Sequence, residues 1–157
     1  MANVIDTAHW FLASIDREAG DSITHLKLQK LVYYAQAWAL ARLDKSLFGE
    51  DFEAWTHGPV VPSLFERFKD YGWEALPYPD AVPTFDSDVE TLLEEILEVY
   101  GQLSARHLEN LTQNEAPFQS ARGNLPDEIR ATTLISKEAM KTYYQNLFET
   151  LNEEQAA

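Results

Sequence analysis

Apolar residues recur at helical steps along most of this chain, and the period changes once, near its middle. Val4, Ala8, Phe11, Leu12 and Ile15 share one helix face, with Asn3 placed to cap the start and Gly20 a stop signal beyond it. A longer helix is predicted from about Thr24 to Leu43. Leu28, Leu31, Val32, Ala35, Trp38 and Ala39 form its face, and Tyr33, Tyr34, Ala37 and Leu40 widen that face over most of the circumference. A helix apolar on most sides is one that others pack around, so this is the expected central helix.

Phe52 to His57 alternates as a strand does, and Gly58-Pro59 punctuates it. Pro59 and Pro62 confine a following strand at Val60-Val61 to an edge. Ser63 to Glu66 has capping-box spacing and opens a short helix ending near Tyr71-Gly72. Residues 73–85 hold Pro77, Pro79 and Pro83 and read as a surface loop. Ser87 to Glu90 repeats the box ahead of Val89, Leu92, Leu93, Ile96, Leu97 and Tyr100, whose opposite face carries Glu90, Glu94, Glu95 and Glu98. Ser104 caps a helix reaching about Gln113, Pro117 suits the first turn of a short segment to Ala121, and Ser136 caps the last helix. In that helix Ile135 and Met140 are spaced as a hydrophobic staple, and the polar run 152–157 should fray. The expected fold is mainly α, about six helices around the central one with a small β-hairpin or short sheet, in a single α+β domain spanning 1–157 with its core at about 5–150.

Charge changes this picture more than composition does. With 12 basic and 26 acidic side chains the net charge is −14. The stretch from Asp80 to Glu98 holds seven carboxylates and no Lys or Arg. Such a field repels duplex nucleic acid, whose binding rests on neutralising phosphates, and attracts a basic partner. The plain alternative is that the acidity only keeps the protein soluble. The absence of cysteine rules out disulfides, thiolate metal sites and a cysteine nucleophile. The N-terminal MANVIDTAHW lacks a basic, apolar leader pattern, and no window reaches a membrane-span length, so a cytoplasmic protein is expected.

The chain contains no HExxH, GxSxG, GxxxxGK[ST] or GxGxxG pattern. His57 and His107 with a carboxylate suit zinc chemically, but sequence does not bring them together. Glu50, Asp51 and Glu53 lack the ligand spacing of a calcium loop and read as a solvated turn. Trp10, Trp38, Trp55, Trp73, Tyr33 and Tyr34 could stack bases only beside a basic track, and none is present. Core packing is their expected role, with Trp55, beside Gly58-Pro59, the one best placed for a rim. No cofactor or metal is expected.

Lys27-Leu-Gln-Lys-Leu-Val-Tyr-Tyr-Ala-Gln36 and Phe52-Glu-Ala-Trp-Thr-His-Gly-Pro-Val-Val-Pro62 closely resemble the two hallmark segments of the Panacea (SocA-like) antitoxin domain, often found as a phage-associated protein. A third segment is similar at Leu103-Ser104, His107, Pro117-Phe118 and Ala121-Arg122. It departs from the family pattern at Arg106, where threonine is usual, and at Phe118, where tryptophan is common and its indole donor is lost. The resemblance extends over roughly 5–150 and implies an antitoxin that neutralises a toxin encoded by a neighbouring gene through direct contact.

Rim geometry and this resemblance together suggest a partner surface drawing on Tyr33, Asp51, Trp55, His57, Gly58, Pro59, His107, Phe118 and Arg122. Two rival readings stand beside it. One is an adaptor that hands a partner to a protease, prompted by the Ala156-Ala157 end. The other is a small hydrolase using His57 or His107 with a carboxylate. No nucleic-acid or membrane partner is expected.

Overall fold

A computed structural model describes residues 2–126 and 128–156. Seven α-helices and one hairpin follow in chain order: α1 Val4–Ser14, α2 His25–Leu43, β1 Glu53–Trp55, β2 Gly58–Val60, α3 Pro62–Phe68, α4 Ser87–Tyr100, α5 Ala105–Gln113, α6 Ala116–Arg122 and α7 Lys137–Ala156. The predicted mainly α architecture with a small antiparallel sheet is what forms. α2 is its axis and packs against α1, α3, α4, α5, α7 and β2. Its Leu28, Leu31, Val32, Tyr33, Tyr34, Ala35, Ala37 and Ala39 are fully buried.

Two glutamines on α2, seven residues apart and so on one face, hold non-helical chain against it. Gln29 Nε2 donates to the Val61 carbonyl (3.2 Å) while its Oε1 accepts from the Val61 amide (2.9 Å). Gln36 does the same for Phe48 O (2.9 Å) and the Leu47 amide (2.7 Å). Each buried amide thereby acts as a one-residue strand partner for segments that have no ladder of their own.

The hairpin pairs Glu53 with Val60, Ala54 with Pro59 and Trp55 with Gly58 across a two-residue turn at Thr56-His57. Pro59 lies on an edge strand, as expected, but that edge is covered by α2 and α5. The other edge is covered by the segment before α7, with the Ala54 amide donating to Thr133 O (2.8 Å) and the Ile135 amide to Phe52 O (2.8 Å). Behind the sheet lies an aromatic cluster. Tyr34 stacks on Tyr100 (centroids 4.0 Å), Tyr33 meets Phe52 edge-on, and Glu115 Oε1 accepts from both Tyr34 (2.7 Å) and Tyr144 (2.8 Å). Burial raises the Glu115 carboxyl above its ordinary range, and the two phenol donors oppose that rise.

Thr24, where the second helix is expected to begin, caps α2, and three predicted caps form at Asn3, Ser104 and Ser136, all four accepting from the amide three residues on. Two predicted caps do not form. Pro62 occupies the first turn of α3 with Val61 as its cap, so Ser63 already lies inside the helix. Before α4, Glu90 is drawn off to accept from the Phe85 amide (3.0 Å) and from Trp10 Nε1 (2.6 Å), so Ser87 begins the helix instead of capping it. α1 stops at Ser14, and Gly20 closes the following turn with φ +94°. α7 stays helical past Asn152, through Ala156.

Candidate functional site

Two open concavities flank α2, and they differ in charge. The first is a cleft of about 340 Å³ lined by Leu26, Lys30, His57, Trp73, Ala105, Arg106 and Glu109. It is assembled from α2, the hairpin turn, the loop after α3 and the first turns of α5. His57 Nδ1 meets Glu109 Oε1 at 2.6 Å, and Gln113 Nε2 donates to Thr56 O at 2.9 Å, so α5 pins the turn at two points. Trp73, 81% exposed, forms an outer wall.

Lys30 lies at the inner end of this cleft and is 2% exposed. Its one hydrogen bond among the described residues is a long contact from Nζ to Pro59 O, 3.4 Å. Burial pushes its pKa down to about 8, with the Glu109 charge opposing the fall. Gly58 makes room for it. With φ +112°, Gly58 has backbone geometry that suits only glycine, and a Cβ there would stand 2.7 Å from Lys30 Cε and 3.0 Å from Thr112 Oγ1.

The second concavity is a groove of about 770 Å³ between α1, the residues after it, α2 and α4. Ile15 and Leu97 supply most of its exposed apolar surface, over the buried Trp10, Ile23 and Leu31; Asp16, Asp21, Glu94 and Glu98 supply the rim. Those four carboxylates form no ion pair among the described residues, unlike Asp88 with Lys45 and Glu95 with Arg42. The groove's one cation, Lys27, donates to Gly101 O at 2.6 Å.

The predicted site residues separate into groups. His57 is exposed at the cleft mouth. His107 is exposed too, but faces a different depression with Ser104, Arg106, Asn110, Leu111 and Asn114. Asp51 pairs with Lys137 (3.2 Å), at the end where α7 begins. Trp55 is half-buried against Phe65, with the Arg130 guanidinium 4.8 Å above its ring and Nε1 donating to Glu53 (2.8 Å). Five expectations need correction. Tyr33, Gly58, Pro59, Phe118 and Arg122 are buried and build the scaffold instead of a rim, with Phe118 and Arg122 reaching only the floor of a depression beside Gln113 and Gln119. Arg122 donates to the carbonyls of Ala54 (3.1 Å), Pro126 (2.7 Å) and Ile129 (2.6 Å), tying β1 to the loop after α6. Among the described residues no three histidine or carboxylate side chains gather as a metal would need, and no helix is long and apolar enough to cross a membrane.

Lys30, Arg106 and Glu109 were not anticipated as site residues; a groove beside the central helix was expected, without its lining, and Trp73, expected in the core, is instead exposed. One signal was readable: Lys30 shares a helix face with Tyr33, Tyr34 and Ala37, an apolar stripe in which a lysine is out of place.

A mainly helical domain with a two-stranded hairpin, opening to solvent through two concavities of unlike charge, is the class that fold and geometry define. Residues 28–119 match the family model described as antitoxin SocA-like, Panacea domain, and the chain belongs to that family. The match runs from α2 into α6, a narrower span than the motifs suggested. No curated protein and no solved structure matches the chain significantly.

Proposed function

We propose that this chain is the antitoxin of a bacterial toxin–antitoxin pair, neutralising a cytoplasmic toxin from a neighbouring gene by direct binding. Family membership supports the role, and the α1–α2–α4 groove is the observation that carries the mode of contact. Apolar surface bordered by four carboxylates without ion-pair partners is complementary to an amphipathic segment rich in Lys or Arg. Burial of the segment's apolar side supplies affinity, and the rim charges raise the encounter rate and set its orientation. The net charge of −14 extends the same attraction over a longer range and disfavours a nucleic-acid partner.

Co-expression with the adjacent open reading frame tests this. The neighbour alone should arrest growth, this protein should relieve the arrest, and the two should co-purify. A harmless neighbour, or relief without a stable complex, would count against direct neutralisation.

A further inference from the structure

Two cations are buried among the described residues, Lys30 and Arg122, and their surroundings are unlike. Arg122 spends its donors on three carbonyls at 2.6–3.1 Å. Lys30 has three N–H donors and one acceptor, at 3.4 Å. A buried ammonium is costly unless hydrogen-bonded or charge-paired, and nothing on the α2 side repays it. What Lys30 does have is a cleft that it lines, and a glycine opposite whose missing side chain leaves the space that Cε and Nζ occupy.

The rest of the lining says what the cleft would accept. Arg106 adds a second cation at the first turn of α5, where free backbone amides contribute further positive potential. Leu26, Ala105 and the exposed ring of Trp73 are apolar walls. Glu109 lines the same cleft, held to His57, and the protein as a whole is strongly acidic. A dianionic phosphate would meet that repulsion twice over; a singly charged group matches one ammonium. We propose that the cleft is a binding pocket for a carboxylate on a short apolar stem, with Lys30 and Arg106 receiving the carboxylate and Leu26, Ala105 and Trp73 the stem. Such a group is offered by a small organic acid or by an acidic side chain or chain end of a partner protein.

The isolated protein suffices for the test, so failure here leaves the antitoxin reading untouched. Amide NMR spectra would be followed while titrating sodium butyrate, with butyramide and inorganic phosphate as comparisons. Saturable shifts at Gly58, Ala105 and Arg106 with butyrate alone are expected. They should be lost in Lys30→Met, which keeps the stem and removes the charge, and weakened several-fold in Arg106→Gln, a surface change that leaves the core alone. Butyramide acting as well as butyrate, phosphate binding more tightly, or unaltered binding in a folded Lys30→Met protein would each overturn the proposal. Repeating the titration on the co-purified complex identifies the source. A pocket closed to butyrate there assigns the carboxylate to the partner, and one still open assigns it to a small acid.

Discussion

The cleft over Lys30 and the groove beside α4 lie on the same central helix yet are built on opposite terms. The cleft is small and has a buried, under-satisfied cation at its base; its shape depends on long-range pairings, Gly58 against Lys30 and His57 against Glu109. The groove is wide, as polar as it is apolar, with carboxylates at its edge, and depends on ordinary helix packing. They also differ in origin. Apart from Leu26, the cleft is made from the stretch matched to the family, whereas the groove takes Trp10 and the 14–23 segment from outside it. A buried charge demands specific neighbours, while an exposed acidic rim tolerates many sequences. One region is therefore sensitive to single atoms and the other to net charge.

The most damaging way to break this contrast is through the support of the cleft. Arg122→Ala leaves three inward carbonyls without their donor and frees β1 from the loop after α6. A loss of about 4 kcal/mol in urea-unfolding stability is expected, with Arg122→Lys recovering little because an ammonium does not span the three carbonyls. Next comes Gly58→Ala, which combines an unfavourable positive φ with a clash at Lys30 Cε. It should cost about 3 kcal/mol and perturb amides of α5 more than those of α1. An unaffected Gly58→Ala protein would show that the cleft is not held as tightly as its geometry implies.

Reversing charge at the groove should do the opposite, sparing the fold and weakening the partner. Glu94→Lys with Glu98→Lys is expected to leave stability within about 0.5 kcal/mol while lowering affinity for the toxin by about 2 kcal/mol, most of it lost again at high salt. Equal affinity in the double variant would move the contact away from the groove.

The smallest effect is the most diagnostic of Lys30. Its folded pKa of about 8 lies below the ordinary 10.5, so between those values the unfolded chain binds more protons and stability rises with pH. From pH 8 to 9.5 this contributes about 1–2 kcal/mol. Buried phenols such as Tyr100, pushed up to about 12, act in the opposite sense only above pH 10. Lys27 is lowered too, but contributes equally in both proteins. Urea titrations at the two pH values should therefore show the rise in wild type and a smaller one in Lys30→Met.

Much of this architecture is legible in the chain because helices are local. Periodicity located α2, α4 and α7, and cap residues located the starts of α1, α5 and α7. Hallmark segments identified the family and drew attention to Trp55-His57-Gly58. What they could not tell was which of those residues face outward. Tyr33, Phe118 and Arg122 stand in the third-dimensional interior, and Gly58 is close to Lys30 rather than to a partner.

Sequence alone determined the helices, the hairpin and the net charge, since each depends on neighbours within a few residues or on a sum over the chain. Tertiary structure alone decided that Glu90 would serve Trp10 instead of a capping box and that Gln29 and Gln36 would clamp distant backbone. It also decided that a lysine in an apolar stripe would be enclosed beneath a glycine 28 positions later. Hydrogen bonding and desolvation act between atoms within a few ångströms in space, whatever separates them along the chain, and no local pattern encodes which groups will meet.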